Sequence, residues 1–283
     1  MSQLFGIPYM GSKTKICIDI LKRLPKGKRF VDLFGGGFAM THAAILTNRY
    51  NHFFYNDYNP LIVKLINEGL DGKYNYRIFK PEFITREKFE RNKDEDGYIK
   101  YIWSFGNKGR NYLFGKDVEP LKHSAHDFVV FGRWSEELEA ISPKLRKAVK
   151  SRNIGKRRKE FSGWCRANRK RFDLEQLERL ERLQQLEQLE RTIVCNCGSY
   201  IDYERLDGDV VYCDPPYEGT ADYGVSFNHK KFYDWVASRP YQVWFSSYKI
   251  SDKRFRLVYA KRLTSSFGTG NSSKNFECLY TNK

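Results

Sequence analysis

Short apolar runs rich in β-branched and aromatic residues recur along this chain, and turn-forming residues bound each of them. Runs of this kind are typical of buried strands. Two of them lie early in the chain, at 29–34 and 52–57. The others come late and predict further strands at 192–195, 209–213, 242–245, 256–259 and 277–280.

Helical segments lie before and after the early runs. A periodic segment from about 15 to 24 stops at Pro25, an Ala-rich segment covers 39–46, and another begins at Pro60. These patterns predict helices, the last of them reaching residue 66. The late crowding of strands predicts a sheet that is finished by an antiparallel hairpin, with residues 71–192 inserted into it.

The inserted segment is polar and irregular, and its centre is strongly basic. A basic run is usually a solvated face, but the aromatic residues Phe161, Trp164 and Phe172 interleave with this one, which favours contact with nucleic acid. Arg157 and Arg158 are the candidates for phosphate contact. Against the single acid Glu160, the run comprises Lys144, Arg146, Lys147, Lys150, Arg152, Lys156, Arg157, Arg158, Lys159, Arg166, Arg169, Lys170 and Arg171.

A glycine-punctuated loop upstream of the basic run, residues 103–116, mixes aromatic side chains with side chains that can read base edges. Asn107 and Arg110 are the candidates for base reading. Lys108 and Lys116 are further candidates for contact with nucleic acid.

A leucine recurs at every third position from Leu174 to Leu189, in triplets of Glu, Gln and Arg that end at Arg191. These residue types favour a helix. Because a three-residue period moves successive leucines back by roughly 60° per repeat, no single apolar stripe forms, which argues against a coiled coil. We interpret the segment as a spacer of variable length. The alternative is a helix that is buried on several sides.

Composition narrows the class of protein. With 283 residues, a formal charge of +16 and a pI near 9.5, the chain is expected to bind a polyanion, nucleic acid first. No stretch approaches the roughly 18 apolar residues of a membrane span, and no signal-peptide core begins the chain, so we expect a cytoplasmic protein without membrane contact. Cys195 and Cys197 have no matching second pair, so we expect reduced thiols and no metal site.

The candidate chemistry is concentrated in Asp214-Pro215-Pro216-Tyr217, which follows the predicted strand 209–213. Open α/β sheets bind ligands at the carboxyl ends of strands, and two prolines make the following turn rigid. We expect Asp214 and the Pro215 carbonyl to accept the two N–H groups of an exocyclic amine, and Tyr217 to stack on the ring that carries it. The alternative is an ordinary turn with Tyr217 in the core.

The glycine turn Gly35-Gly36-Gly37 joins the first predicted strand to the Ala-rich helix. Such a turn lets a ligand approach the backbone at a helix N-terminus, but this one lacks the spacing of a dinucleotide loop and a Walker lysine, so NAD and ATP are not expected. Asp57, at the end of the second strand, can accept ribose hydroxyls or cap the next helix. The pattern is typical of a nucleoside site without a phosphate cradle.

With these motifs in one order, the chain resembles DNA adenine-N6 methyltransferases of the Dam type, which are bacterial and phage enzymes. The resemblance covers 5–66 and 193–283 well and the insert loosely. The order is Pro8-Tyr9-x-Gly11-x-Lys13, then Val31-Asp32-Leu33-Phe34-Gly35-Gly36, then Asn56-Asp57, an inserted recognition region, and Asp214-Pro215-Pro216-Tyr217.

The resemblance implies a Rossmann-like α/β methyltransferase sheet, formed by 1–70 and 193–283, with an inserted, mainly helical DNA-recognition domain at 71–192. It implies S-adenosylmethionine as the cofactor, without a metal, and double-stranded DNA as the partner. The reaction would be methyl transfer to N6 of a flipped adenine. The matching cofactor-binding residues are Tyr9, Lys13, Asp32, Phe34, Gly35, Asp57 and Asp214, and the matching catalytic loop is Asp214, Pro215, Pro216 and Tyr217.

The chain departs from the family pattern in its glycine motif, which often reads F-x-G-x-G, because Phe38 stands at the last position here. The alternatives are cytosine-N4 methylation, RNA adenine methylation, or a non-catalytic nucleic-acid-binding protein, and the intact Asp214 and Asp57 argue against the last. The recognition sequence, the oligomeric state (a monomer included) and a restriction partner stay open.

Overall fold

The computed structural model describes residues 4–170, 172–189, 192–218, 227–262 and 276–283, except for the side chain of Asn107. These residues divide into two compact units. The first unit holds those within 1–6, 12–63 and 190–283, and the second holds those within 7–11 and 64–189. Within these ranges no helix has the length and apolar character needed to cross a bilayer.

A mostly parallel sheet of seven described strands forms the first unit. The strands are β1 (Arg29–Asp32), β2 (His52–Asp57), β3 (Thr192–Cys197), β4 (Asp209–Cys213), β5 (Val243–Ser247), β6 (Arg256–Arg262) and β7 (Phe276–Thr281). They lie in the order β3-β2-β1-β4-β5-β7-β6. Strands β1 to β5 pair in parallel, whereas β7 lies antiparallel between β5 and β6.

The helices of the described chain are mostly short. They are α1 (Cys17–Leu21), α2 (Ala39–Leu46), α3 (Pro60–Leu70), α4 (Arg86–Asn92), α5 (Gly97–Ile102), α6 (Glu119–Phe131), α7 (Glu136–Ile141), α8 (Pro143–Ala148), α9 (Ile154–Ala167), α10 (Glu175–Gln184) and α11 (His229–Ser238). Helices α1, α2 and α11 belong to the first unit, and α4 to α10 form most of the second.

The core of the first unit explains its apolar runs. Val211 of β4 and Phe245 of β5 are fully buried against Phe232 and Val236 of α11. Helix α2 packs beside β1 and β2. Central parallel strands that are buried in this way carry near-continuous apolar runs, which is the pattern seen in the sequence.

The predicted α/β class and the antiparallel finish of the sheet are confirmed. Every predicted strand forms, and the differences lie at element ends. Strand β1 ends at Asp32 rather than at residue 34, because the chain enters the glycine turn at Leu33. Helix α1 is shorter than the predicted 15–24, and α3 continues past 66 to Leu70.

The second unit has an aromatic core around Trp103, which is fully buried. The ring of Phe83 lies 5.1 Å from the Trp103 ring and that of His126 lies 5.7 Å from it, measured between centroids. His126 Nε2 donates to the carbonyl of Pro81 at 2.9 Å. Burial lowers the pKa of His126 to about 4, so its imidazole is a neutral part of this core near pH 7.

The spacer interpretation of the leucine triplets is wrong. Helix α10 ends at Gln184 and a 3₁₀ helix continues to Gln188. In a 3₁₀ helix, residues three positions apart lie on the same side, so the last leucines share one face. In the α-helical part, the leucines point in several directions around the helix, and all of these directions are covered by the rest of the unit. Glu190 and Arg191 lie outside the described residues. Each of five leucines is at most 2 % exposed to solvent, namely Leu174, Leu177, Leu180, Leu183 and Leu186.

The leucines therefore belong to the core of the second unit, and truncating one should destabilise the protein. We expect Leu180→Ala to lower the free energy of unfolding by about 2–5 kcal/mol, the usual cost of a buried cavity of this size. Urea unfolding followed by tryptophan fluorescence measures the loss. The control is Glu178→Ala on the exposed face of the same helix, which should change stability by less than about 0.5 kcal/mol. Equal stability of both variants would restore the spacer interpretation.

Candidate active site

Three aspartates end neighbouring strands at one edge of the sheet. Asp32 is the last residue of β1, Asp57 is the last residue of β2, and Asp214 directly follows β4. These strands are adjacent and parallel, so their carboxyl ends meet at the same edge, where open α/β sheets bind their ligands. The edge therefore concentrates negative charge and hydrogen-bond acceptors.

Asp214 is held through one of its two oxygens. The Lys13 ammonium lies 2.9 Å from Oδ1, and the Tyr217 hydroxyl donates to the same oxygen at 3.2 Å. Burial raises the pKa of Asp214 to about 6, with the Glu277 charge adding to the rise and Lys13 opposing it. Both contacts given for this carboxylate within the described residues fall on Oδ1.

Tyr217 is buried and bonded at its hydroxyl. Its one hydroxyl hydrogen is shared between Oε1 of Glu277, the nearer acceptor, and Oδ1 of Asp214. The Lys13 ammonium lies 4.6 Å from the centroid of its ring. Burial, then the charges of Asp214 and Glu277, raise the pKa of Tyr217 well above its usual value, so the hydroxyl stays protonated and donates. Only 9 % of Tyr217 is exposed, so its predicted stacking on a base stays a prediction.

The proline turn is fixed from behind by α11. His229, the first residue of that helix, donates from Nε2 to the carbonyl of Pro216 at 2.8 Å. The carbonyl of Pro216 thus accepts a hydrogen bond from the protein itself. The carbonyl that the sequence predicts to bind the amine is a different one, that of Pro215. This contact and the two fixed φ angles hold the turn in one conformation.

The glycine turn is fastened to β2. Gly36 donates its N–H to Asp57 Oδ2 at 2.8 Å, and the Tyr55 hydroxyl donates to the Gly36 carbonyl at 2.7 Å. A side chain on Gly35 would place its Cβ 2.2 Å from the Tyr55 ring, so this position requires glycine. Asp57 Oδ1 accepts the N–H of Asn59 at 2.9 Å, and burial raises the pKa of Asp57. Each Asp57 oxygen keeps a lone pair for a further donor.

Phe38 occupies the position where the family pattern often has its last glycine. Its φ is +69°, a left-handed conformation that costs a non-glycine residue roughly 1–2 kcal/mol. The ring is fully buried and packs edge-on against Tyr55, with centroids 5.2 Å apart. The backbone therefore keeps the glycine-like turn, and burial of the phenyl ring offsets the strain.

Asp32 carries an unsatisfied buried oxygen. The Thr41 hydroxyl donates to its Oδ2 at 2.9 Å, while Oδ1 is buried with no hydrogen-bond partner in the described part of the chain. Burial raises the pKa of Asp32 to about 7, and the charges of Asp214 and Asp57 contribute to the rise. An unpaired buried acceptor of this kind is suited to a donor or cation supplied by a ligand.

The remaining predicted cofactor residues fall in two places. Phe34 packs against Tyr200, with ring centroids 5.2 Å apart, and edge-on against Phe227 at 5.8 Å, which gives the first unit an aromatic shelf beside the glycine turn. Tyr9 belongs to the second unit, where its ring lies 5.2 Å from that of Tyr101. The Lys13 ammonium contacts Asp214 and so pairs with the loop that follows β4.

The predicted recognition loop forms a tight hairpin in the second unit. Ser104 bridges Tyr112, Phe105 donates its N–H to the Asn111 carbonyl at 2.7 Å, and the tip turns at Gly106 and Gly109, both with positive φ. The hairpin exposes the side chains of Phe105, Lys108 and Arg110, and Lys116 beyond it is also exposed. The side chain of Asn107 lies outside the described residues.

The hairpin is anchored by the leucine helix. Arg179 of α10 is buried and donates from Nη1 to the carbonyls of Ile102 and Ser104, at 3.1 and 2.7 Å. The base of the hairpin is therefore tied to the core that the leucines form.

Arg157 and Arg158, predicted to contact phosphate, serve the interior of the second unit. The Arg157 guanidinium donates to the carbonyls of Phe128, Val129, Ser151 and Arg152, and Arg158 forms a two-bond ion pair with Glu181 at 2.6 Å. These contacts give both residues a structural role, so the phosphate candidates must be sought among their exposed neighbours. Arg171 of the basic run lies outside the described residues.

A basic cleft of about 830 Å³ opens beside these arginines, within the second unit. The N-terminus of α9 and the 3₁₀ end of the leucine helix both line it. Its cations include Arg77, Lys80 and Arg152, and the amide side chains of Asn75, Asn153, Gln184 and Gln188 lie among them.

Sequence reasoning missed two residues that the structure makes prominent, namely Glu277 and Arg179, and it did not distinguish Phe105 from the other aromatic residues of its loop. Glu277 is an acid within a strand whose next residues are all apolar or small, and such a buried charge is a usable signal. Arg179 resembles its exposed neighbours in the repeat, so no sequence signal distinguishes it. Phe105 is 67 % exposed, although its aromatic neighbours in the same loop are buried.

Comparison with protein-family models finds a match over residues 9–239 to the family described as D12 class N6 adenine-specific DNA methyltransferase. The matched range includes the glycine turn, Asp57, the second unit and the Asp214–Tyr217 loop, and it ends before Glu277. No curated protein matches the chain. In the described residues, no three or more His, Cys, Asp or Glu side chains are grouped so that they could hold a metal ion.

Proposed function

This chain belongs to the D12 class of N6 adenine-specific DNA methyltransferases, enzymes that methylate adenine in DNA. From this premise, we propose a role in the methylation of adenine for each group of the site. Methyltransferases of this kind use S-adenosylmethionine as the methyl donor in general. The observation that carries the proposal is the position of Asp214 at the carboxyl end of β4, where both of its contacts within the described residues, with Lys13 and Tyr217, are made through Oδ1.

The residues at the sheet edge fit S-adenosylmethionine. Its α-ammonium, ribose hydroxyls and adenine amine are donors, and the edge offers three carboxylates without a phosphate cradle. Asp32, whose Oδ1 has no partner in the described chain, suits the ammonium, and Asp57 suits the ribose. Phe34 and the glycine turn would line the same pocket. Tyr9 and Lys13 are the other residues proposed to bind the cofactor. When bound, the cofactor supplies a methyl group on a positively charged sulfur.

Asp214 and the Pro215 carbonyl act on the adenine. Each accepts one N–H of the exocyclic amine, which directs the nitrogen lone pair away from both acceptors. The target base must first leave the DNA stack, at a cost of a few kcal/mol, and stacking on Tyr217 offsets part of that cost. Pro216 keeps the turn rigid. The residues therefore contribute positioning and electrostatic complementarity rather than a strong base.

The second unit recognises double-stranded DNA in this proposal, as the inserted region 71–192 of a catalytic domain made of 1–70 and 193–283. The exposed hairpin tip carries Arg110 and Lys108, whose side chains suit guanine edges and phosphates, with Asn107 beside them. Exposed Phe105 gives the tip an aromatic face that can stack on a base. Lys116 adds a further positive charge. Such an enzyme acts in the cytoplasm of a bacterial cell.

The cations of the cleft are assigned to the DNA backbone. Arg77, Lys80 and Arg152 line the same cleft as the N-terminus of α9, where free N–H groups and the helix dipole also favour an anion. This assignment moves the predicted phosphate contacts from Arg157 and Arg158 to their exposed neighbours. Methylation of RNA or of cytosine N4 is disfavoured, because the family match is to adenine-specific enzymes acting on DNA.

The role of Asp214 predicts that Asp214→Ala lowers the single-turnover rate of methyl transfer to DNA at least tenfold, which corresponds to about 1.4 kcal/mol. Affinity for DNA should stay within about threefold, because the carboxylate acts on the flipped base. Transfer of labelled methyl groups from S-adenosylmethionine, followed by digestion to nucleosides, measures both rate and product. Asp207→Ala, on an exposed residue, is the control. A variant that keeps more than a tenth of the rate would remove Asp214 from the mechanism.

The hairpin tip predicts that Arg110→Ala relaxes sequence preference. We expect a loss of discrimination of about 1–3 kcal/mol at one base position, because a guanidinium can form two hydrogen bonds to guanine. Methylation of a library of DNA sites, read by methylation-sensitive sequencing, measures the preference. Affinity that falls equally for all sites would make Arg110 a backbone contact instead.

The cleft predicts a change in salt dependence. The double variant Arg77→Gln and Arg152→Gln should weaken binding to all DNA sequences and flatten the plot of log affinity against log salt by about 0.9 per lost phosphate contact. Fluorescence anisotropy at several salt concentrations gives the slope. Lys22→Gln with Lys26→Gln, on exposed residues of the first unit, removes the same charge outside the cleft. An equal change of slope in both double variants would count against a DNA contact in the cleft.

A further inference from the structure

The reversal of β7 brings an acid from the end of the chain to the site. Glu277 is the second residue of β7, which runs antiparallel to β5. The beginning of an antiparallel strand lies beside the carboxyl ends of its parallel neighbours, so Glu277 meets the loop that follows β4. It is 5 % exposed and lies outside the residues that the family comparison matches.

Glu277 contacts both groups that hold Asp214. Its Oε1 lies 3.4 Å from the Lys13 ammonium and accepts the Tyr217 hydroxyl. One buried ammonium is thus shared between the buried Glu277 and the partly buried Asp214, and the single hydroxyl hydrogen of Tyr217 lies within reach of both carboxylates. A buried charge that loses its partner is strongly destabilised, so each member of this cluster depends on the others.

We propose that Glu277 is a positioning residue for adenine methylation, which fixes Lys13 and Tyr217 so that Asp214 is held at Oδ1 and presents Oδ2 to the amine. This inference rests on the proposed function of the site. Without Glu277, the Tyr217 hydroxyl would keep Asp214 as its acceptor, and Lys13 would lose one of the two carboxylates that fix its position. The 214–217 turn, which should face the adenine, would then be held less firmly, because neither Lys13 nor Tyr217 would be fixed by Glu277.

The same cluster sets the charge on Asp214. Among the described residues, the titratable groups that act on it are Lys13 before α1, Asp32 at the end of β1, Tyr212 and Cys213 of β4, Tyr217 in the loop and Glu277 of β7, and Tyr248 after β5 faces Lys13 and Glu277. Glu277 raises the pKa of Asp214 by its negative charge, and Lys13 lowers it. Removal of the Glu277 charge should therefore lower the pKa of Asp214 below about 6. The acid side of the rate profile, where Asp214 becomes protonated, should move to lower pH.

Two substitutions of Glu277 distinguish its effect on the position of Tyr217 and Lys13 from the effect of its negative charge. Glu277→Gln keeps an oxygen that accepts the Tyr217 hydroxyl but removes the charge, whereas Glu277→Ala removes both. We expect the maximal rate to fall by at least tenfold in Glu277→Ala, with KM for DNA and cofactor within about threefold, and by less than about threefold in Glu277→Gln. Glu204→Gln, on an exposed residue, is the matched control and should equal the unsubstituted protein.

The readout besides activity is a carbon-13 NMR titration of the aspartate carboxyl groups. In Glu277→Gln, the Asp214 carboxyl should titrate at a lower pH than in the unsubstituted protein, and the Glu204→Gln control should leave it unchanged. An unchanged Asp214 titration, or equal rates in Glu277→Ala and the unsubstituted enzyme, would overturn the role of Glu277. If instead the unsubstituted protein methylates no adenine, the proposed function fails, and the titration still decides whether Glu277 acts on Asp214.

Discussion

One buried ammonium shared by two carboxylates is the interaction on which the site depends. Lys13 comes from the segment before α1, Asp214 from the loop after β4, and Glu277 from β7. Charges taken out of water are tolerated only when partners compensate them, so the three segments must reach the same point for the fold to be stable. The sheet achieves this because parallel strands end, and β7 begins, at one edge. In the proposed function, this compensation leaves Asp214 Oδ2 for the substrate.

The other two aspartates at this edge of the sheet, Asp57 and Asp32, have different hydrogen-bond partners. Asp57 ties the glycine turn to β2 through the Gly36 N–H, so its first role is to shape the turn. Asp32 is half satisfied by Thr41, and its buried Oδ1 has no partner in the described chain, a costly arrangement that a cationic ligand would relieve. Phe38 accepts a left-handed backbone in the same turn. These features favour a ligand rich in donors and poor in phosphate, as the family implies.

Much of this could be predicted from the sequence, since apolar runs mark buried strands and the motifs follow one another in a fixed order. The contacts that could not be predicted join distant segments. Glu277 lies 63 positions after Asp214, and only the reversal of β7 brings it there. The leucine triplets form no single apolar stripe, yet they are buried, because the second unit covers this helix on several sides and only its end is 3₁₀. Counting charges did not reveal that Arg157 and Arg158 bond to their own unit.

The central claim is that Asp214 is held at Oδ1 and receives the adenine amine at Oδ2. The most direct measurement is a crystal structure of the protein with DNA containing its target adenine and a cofactor analogue that cannot transfer a methyl group. The account predicts a flipped adenine with N6 about 2.9 Å from both Asp214 Oδ2 and the Pro215 carbonyl, while Lys13 stays on Oδ1. An adenine whose N6 contacts neither oxygen, or that displaces Lys13 from Oδ1, would contradict it.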